Sequence, residues 1–427
     1  MKRLLILILI IFGLFVFTSG GVLAFFFPSQ ERKIVVFREN VPDEEQFSIL
    51  SQHRATFSKK LKLLNAAAIK ISSADIERLV HDPKVLRIDP DVQVFALPNQ
   101  KWCDRHPEFP WCPKPSSTPI PSLTPTPSLA PSPTTIPSPS LLPTPSPSSS
   151  TQPLPWGITR IKADQAWSVS RGSGVKVAIL DTGINRNHPD LRDNLAGCLN
   201  FIFSRKTCED DNGHGTHVSG IVAAEDNSFG VVGVAPNAKI YALKVLDRRG
   251  SGYLSDIIEA LDWVITNNVQ IVNMSLGTSS DITSFREAVQ RVNAAGIIQV
   301  AAAGNSGPAQ NTVLYPAAYP QVIAVSATDA SDNVPSWSSR GGELNLAAPG
   351  VNIYSTYLNN SYKTLSGTSM SAPHVTGSVA LRLYLRPTET PNQIENILET
   401  NINPLPITDP VVVGAGLLDA FKVVSAP

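Results

Sequence analysis

A three-layer α/β fold around a parallel sheet is what the larger part of this chain predicts, with a small α+β unit ahead of it. Three observations predict this. From Trp156 onward, apolar runs of strand length alternate with helical stretches, the pattern of a sheet covered on both faces. Residues 113–155 are mostly Pro, Ser and Thr, which cannot bury a core and so divide two patterned regions with an extended linker. Residues 32–97 carry a second, shorter pattern of their own.

The chain begins with Lys2-Arg3 and an uncharged stretch, residues 4–27. A positive start followed by an apolar core is an export signal, and Val22-Leu23-Ala24 offers a small-residue cleavage site. The stretch is also long enough to cross a bilayer, which takes ~17–25 residues. Residues 1–27 therefore read as a cleaved signal or a membrane anchor, and either places the rest outside the cytoplasm. In the next unit Lys33-Ile34-Val35-Val36-Phe37 is strand-like and residues 44–55 are helical in composition. Alternation in Ala55–Leu64 and Ala66–Ile71 predicts two further strands. Ser72 followed by Asp75 and Glu77 marks the start of a short helix, and Val85–Leu97 reads as one last strand. The order β-α-β-β-α-β is ferredoxin-like. Residues 98–155 form a Cys-containing segment and linker, reaching on the order of 100 Å in polyproline form.

In residues 156–427, strands are predicted at Val175–Leu180, Lys239–Leu246, Gln270–Leu276 and Gly296–Ala302. Helices are predicted near His214–Ala224, Leu254–Thr266, Ser284–Ala295 and Ser371–Leu385. Ligands of such sheets sit at the carboxyl ends of the strands. Asp181 follows one strand and Asn305 another.

Formal net charge is zero over 427 residues, so no nucleic-acid partner is implied. Four cysteines form two local pairs, Cys103 with Cys112 and Cys198 with Cys208, neither spaced as C-x-x-C. Beyond an export segment, disulfides are the better reading, with free buried thiols the alternative. A bridge between Cys198 and Cys208 would pin the loop leading to His214.

Four short segments carry chemistry: Asp181-Thr182-Gly183, His214-Gly215-Thr216-His217, Ala303-Gly304-Asn305-Ser306-Gly307 and Gly367-Thr368-Ser369-Met370. Ser369, ahead of a long apolar helix, is the candidate nucleophile, where N–H groups and the dipole favour negative charge. His214, between two glycines, is the candidate base. Asp181 would hold its tautomer and Asn305 would donate to an oxyanion. Singly, each has a plainer reading: an N-cap for Ser369, an Asx-turn for Asp181, a loop amide for Asn305. His214 and His217 lack the H-E-x-x-H pattern, so zinc is disfavoured and His217 reads as structural. No catalytic cofactor is called for.

Together, in the order Asp, His, Asn, Ser, these segments resemble the subtilisin-like serine peptidases, from Trp156 to about Pro427. Gly367-Thr368-Ser369-Met370-Ser371-Ala372-Pro373-His374 and His214-Gly215-Thr216-His217-Val218 are family signatures. The resemblance implies a subtilisin-like domain hydrolysing protein and peptide substrates. It implies an inhibitory propeptide in residues 32–97, cut off by the enzyme itself near Leu97. The family's propeptide commonly joins its catalytic domain directly; here a long linker intervenes. Ser275-Leu276-Gly277 and Gly250-Ser251-Gly252 resemble the two edges that pair with substrate backbone. Ala303, Gly304 and Leu314 resemble walls of the pocket for the residue before the cut. No acid lies in these segments, which implies apolar selection. The resemblance also implies a structural Ca²⁺ held by Gln152, Asp190, Asn227 and the carbonyls of Glu225, Phe229 and Val231. A sedolisin-type relative would carry Glu for His214 and Asp for Asn305; a non-catalytic binding module would lack one of the four residues.

Overall fold

The computed structural model describes residues 29–97, 152–203 and 206–427. The export segment and the linker up to residue 151 lie outside the described residues. So does the expected pairing of Cys103 with Cys112: neither Cys103 nor Cys112 is among the described residues, and that disulfide remains an expectation from the sequence.

The N-terminal unit runs β1 (Gln30–Phe37), α1 (Asp43–Gln52), β2 (Thr56–Leu61), β3 (Ala66–Ser72), α2 (Ser73–Leu79), β4 (Val85–Pro90) and β5 (Gln93–Ala96). The first four strands form an antiparallel sheet in the order β2-β3-β1-β4. Ser72 caps α2 as expected, its Oγ accepting from Asp75 N at 3.2 Å. The apolar run in β1 has a physical cause. Side chains alternate across a strand. Val35 and Phe37 pack with Ile49, Leu50 and Leu79 under the unit's own helices. Ile34 and Val36 join Leu254, Ile257, Phe285 and Val289 of the C-terminal domain. Both faces are buried, so neither is polar.

The C-terminal domain contains β6 (Lys176–Asp181), β7 (Leu195–Asn200), α3 (His214–Ala223), β8 (Lys239–Lys244), β9 (Ser251–Tyr253), α4 (Leu254–Thr266), β10 (Ile271–Met274), β11 (Leu276–Gly277) and α5 (Thr283–Ala294). Then follow β12 (Ile298–Ala302), β13 (Ile323–Thr328), β14 (Leu346–Pro349), the hairpin β15 (Ile353–Tyr357) and β16 (Ser361–Leu365), α6 (Thr368–Leu385), α7 (Pro391–Thr400), β17 (Ile402–Asn403) and β18 (Leu417–Leu418). Nine strands form the central sheet, ordered β17-β18-β14-β13-β12-β10-β6-β8-β7. Every neighbouring pair is parallel except β17 with β18. Alternation in β6 shows the layers: Val177 and Ile179 face the core with Val218 of α3 and Val375 of α6. Ala178 and Leu180 face the core with Ile257 of α4 and Phe285 of α5. The fold is thus the three-layer α/β arrangement expected.

Two corrections arise. The single strand expected over Val85–Leu97 is two, β4 and β5, in different sheets. The break falls at Asp91 and Val92, and the carboxylates of Asp89 and Asp91 turn to helix N-termini. Asp91 Oδ1 accepts from Ser255 N at 2.9 Å in the first turn of α4, and Asp89 Oδ2 from Ser284 N at 3.1 Å in that of α5. Each satisfies an otherwise orphaned donor. The strand expected over Gln270–Leu276 is likewise divided, into β10 in the central sheet and β11, which pairs with β5.

Candidate active site

The four candidate residues arrive from four elements at one end of the sheet. Asp181 ends β6, Asn305 follows β12, His214 opens α3 and Ser369 is the second residue of α6. Close approach of backbones sets the local sequence. Gly183 has φ +107°, and a Cβ there would lie 2.2 Å from Cys208 O; one on Gly215 would lie 2.2 Å from Gly183 O. Any side chain at either position would push the His214 loop off the Asp181 turn.

His214 Nδ1 lies 2.8 and 2.9 Å from the two oxygens of Asp181, which is wholly buried. That contact makes Nδ1 the protonated nitrogen and leaves Nε2 as the acceptor. Nε2 is buried and unpartnered among the described residues. Burial alone would lower the His214 pKa, but the Asp181 charge and hydrogen bond, with a contribution from Asp210, raise it above its ordinary 6.5. Ser369 is wholly buried, its hydroxyl turned to Ser275 O at 3.1 Å and Leu97 O at 3.4 Å.

Asn305 Nδ2 donates to the same Leu97 carbonyl at 3.3 Å. Its Oδ1 accepts from Thr368 N and Thr368 Oγ1, both at 3.0 Å, which fixes which end of the amide points at the carbonyl. Pro373 inside α6 has no N–H to give the carbonyl of Ser369 four residues back. Ser275 Oγ donates to that carbonyl instead, at 3.0 Å. The turn that carries Ser369 is thereby tied to the strand beside it.

Beside these groups β5 lies between two edges. It pairs antiparallel with β11, Leu276 opposite Ala96 and Gly277 opposite Phe95. It pairs antiparallel with β9, Val94 opposite Gly252. Ala96 N donates to Gly250 O at 2.8 Å. Next to Leu97 is a cavity of about 510 Å³ lined by Gly277, Thr278, Ser306, Val313 and Leu314 among others, none acidic. Gly304 does not line it but packs behind Leu314, which does: a Cβ on Gly304 would come 3.1 Å from Leu314 Cδ1. Ala303 is buried behind it, its carbonyl accepting from Leu314 N at 2.8 Å.

Three residues that the sequence reading assigned no role support this arrangement. Asp210 Oδ1 accepts from Thr182 Oγ1, Asn212 N and Gly213 N; its Oδ2 accepts from Thr216 N and Thr216 Oγ1. Thr182 Oγ1 also accepts from Gly215 N at 2.9 Å. Thr368 locks Asn305 as described. The only sequence signal for them was adjacency to the motifs. His217 Nε2 sits 2.9 Å from Lys363 O and 3.1 Å from Ile353 O, holding the β15–β16 hairpin. Burial pushes its pKa down to about 3, so it stays neutral. Of the two expected cysteine pairs, Cys198 in β7 and Cys208 are joined by a disulfide ahead of the His214 loop. Cys103 and Cys112 lie outside the described residues.

The six expected Ca²⁺ ligands are brought together. Gln152 Nε2 lies 2.9 Å from Glu225 O and 2.7 Å from Val231 O. Asp190 Oδ1 lies 3.1 Å from Asn227 Nδ2, and Phe229 N lies 3.3 Å from Asn227 Oδ1. The Glu225 carboxylate turns away to Asp193 N. Carbonyl, amide and carboxylate oxygens are the hard donors that suit Ca²⁺. Here Gln152 Oε1 accepts from Asn227 N and Ser228 N, and Asp190 Oδ2 from Val231 N and Tyr362 Oη, so these residues would hold the ion with the Gln152 amide turned from its present hydrogen bonds. With a single carboxylate, the set differs from a cluster of three His, Cys, Asp or Glu, of which the described residues contain none.

Comparison with known proteins agrees with this geometry. The subtilase family model matches residues 172–416. Subtilisin DY of Bacillus licheniformis is 47% identical over 271 residues, 63% of this chain and 97% of that protein. A thermostable alkaline protease of Halalkalibacterium halodurans is 48% identical over 273 residues, covering 64% of this chain and 74% of its own length. Subtilisin Savinase of Lederbergia lenta is 44% identical over 270 residues, 63% of this chain and 98% of that protein.

Proposed function

The chain belongs to the subtilase family and is a serine endopeptidase, and from that premise we propose that it works outside the cytoplasm through an acyl-enzyme on Ser369. Ser369 Oγ attacks the carbonyl carbon of the bond to be cut, and its proton passes to His214 Nε2. Asp181 stabilises the imidazolium through Nδ1–H. The negative oxygen forms where Leu97 O lies and takes hydrogen bonds from Asn305 Nδ2. The leaving nitrogen takes the proton from Nε2 as the C–N bond breaks. Water then adds to the ester by the same route in reverse and frees Ser369. The observation that carries this reading is one carbonyl, that of Leu97, within reach of both Ser369 Oγ and Asn305 Nδ2. The test is hydrolysis of unstructured peptides by wild type, Ser369→Ala and His214→Ala. Loss in both variants supports the reading; full activity in either defeats it.

Residues 32–97 act as the propeptide: β5 fills the substrate groove, and the enzyme releases itself by its own cut. The apolar cavity beside Leu97 favours large apolar residues before the cut. Each buried methylene contributes on the order of 0.8 kcal/mol, and an arginine would be left without a partner. A peptide-library profile dominated by Arg or Lys would rule this out. A structural Ca²⁺ at Gln152, Asp190, Asn227 and the carbonyls of Glu225, Phe229 and Val231 would tie the segment before Trp156 to the loop after α3. The export segment supports secretion or surface anchoring; no described helix is long and apolar enough to cross a membrane. In that oxidising setting Cys103 and Cys112 would close a second local disulfide ahead of the linker.

A further inference from the structure

Strand β10 carries a polar residue where its neighbours are apolar. Val272 and Met274 pack with Ile257 and Phe285 on one face of the sheet. Ile271 packs with Val375 of α6 on the other, and alternation puts Asn273 on that second face. Asn273 is wholly buried, and its backbone is fixed between β6 and β12, opposite Ile179 and Val300. An amide in such a layer costs free energy unless its polar groups are hydrogen-bonded, and the bonds of Asn273 lead to Ser369.

Thr376 Oγ1 donates to Asn273 Oδ1 at 2.9 Å. Asn273 Nδ2 donates to Ser275 Oγ at 3.0 Å. Ser275 Oγ then donates to Ser369 O, the carbonyl that Pro373 leaves without its helical partner. The backbone carbonyl of Ser275 in turn accepts from Ser369 Oγ at 3.1 Å. Thr376, Asn273, Ser275 and Ser369 are all wholly buried. The circuit leaves α6 at Thr376, crosses to β10 and returns to the first turn of α6 at Ser369.

Each step of the circuit has one direction. A serine hydroxyl has a single proton, and that of Ser275 can serve either Ser369 O or an acceptor at position 273. The Asn273 amide settles the choice by presenting N–H to Ser275, and Thr376 keeps it that way round by presenting O–H to its other end. The Thr376 hydroxyl is diverted to do so. In a helix such a group commonly bonds the carbonyl four residues back, as Ser378 Oγ does with His374 O at 2.9 Å. Asn273 and Thr376 take no part in the pairing of β5 with β11 and β9.

We propose that Asn273 is a positioning residue for the nucleophile, oriented by Thr376 and acting through the Ser275 hydroxyl on the turn that carries Ser369. The inference rests on the assignment of Ser369 above. The relay sets the place of Ser369 Oγ against the bond to be cut, so it governs the rate of attack and not the affinity for substrate.

The test uses activated enzyme and a peptide substrate, with kcat expressed per hydroxyl titrated by a fluorophosphonate. Asn273→Asp keeps the shape, but an ionised carboxylate only accepts and so draws the Ser275 proton from Ser369 O. In that variant kcat is expected to fall by about five-fold or more, the equivalent of one hydrogen bond of ordinary net worth, with KM unchanged. Thr376→Val is expected to lower kcat in the same sense, again with KM unchanged, and Thr376→Ser to restore it. In a Ser275→Ala background both losses are expected to vanish, because the hydroxyl through which they act is gone. A merely loosened core would lower kcat in either background. Wild-type kcat in Asn273→Asp or in Thr376→Val, a loss carried by KM, or losses undiminished in Ser275→Ala overturn the inference. If Asn273→Asp does not fold, Thr376→Val against Thr376→Ser decides by the same readouts. Ser369→Ala separates the two levels. Retained hydrolysis there defeats the assignment of the nucleophile, whereas its loss beside unchanged Asn273→Asp and Thr376→Val overturns the relay alone.

Discussion

Asn305 donates to the groove only while its amide is held one way round, and Thr368 does the holding through its N–H and Oγ1. Thr368→Val removes one of those bonds and costs about 1 kcal/mol, roughly five-fold in kcat. KM should barely change, and Thr368→Ser should restore the rate. Asn305→Leu removes the donor itself, and a loss of about 10²–10³-fold in kcat is the magnitude known for a subtilisin oxyanion donor, carried over rather than derived. Asp210 acts through charge as well as geometry. Its carboxylate helps raise the His214 pKa above 6.5. The base works only when neutral, so the acid limb of kcat/KM lies above pH 6.5 in wild type. Removing that charge in Asp210→Asn lowers the His214 pKa and moves the limb to lower pH; a limb unmoved or moved upward would refute the assignment. The four principal residues were legible because each sits in a short motif of small neighbours. Thr182, Thr368 and Asp210 were not, because their importance lies in hydrogen bonds closed across the chain. Asp210 looks like one more acid in a polar loop until Thr182 and Thr216 are seen on it.

Helix α6 carries Ser369 and also His374, and α3 carries both His214 and His217. Burial lowers the pKa of His374 to about 4 and of His217 to about 3. Unfolded, both would titrate near 6.5. Between pH 6.5 and about 4 the unfolded chain therefore binds more protons than the folded one, and stability falls as pH falls. Each histidine contributes a slope approaching 1.4 kcal/mol per pH unit in that window. Melting of Ser369→Ala, which cannot digest itself, should show the fall, and His217→Gln should flatten it. A flat profile from pH 7 to 4 would contradict this. The elements of the central layer were legible where apolar runs are long, as in β6, β8, β12 and α4. The division of 85–97 was not, because Pro90 and Asp91 sit amid residues of strand composition and the cause of the break lies in α4 and α5. Strands β7, β13 and β14 and the β15–β16 hairpin also went unread.

At the scale of the whole molecule, Gln152 ties the segment before Trp156 to the loop after α3, its Nε2 donating to Glu225 O and Val231 O. A ligand that binds only the folded form stabilises by mass action, about 4 kcal/mol at a thousand-fold excess over Kd. Millimolar Ca²⁺ should thus raise the melting temperature of Ser369→Ala relative to chelator by several degrees. Asp190→Ala should abolish the difference, and an equal shift in that variant would remove Asp190 from the site. The division into N-terminal unit, linker and catalytic domain was legible from composition. The docking of β5 was legible only through the family resemblance, because pairing between strands so far apart in sequence leaves no local trace. What the whole assembly implies is a single activated hydroxyl in the released enzyme. A fluorophosphonate that phosphonylates serine nucleophiles, followed by peptide mapping, tests this most directly. The account predicts one label per chain, on Ser369, lost in His214→Ala and parallel with loss of peptide hydrolysis. A label on another residue, or undiminished hydrolysis by fully labelled enzyme, would contradict it.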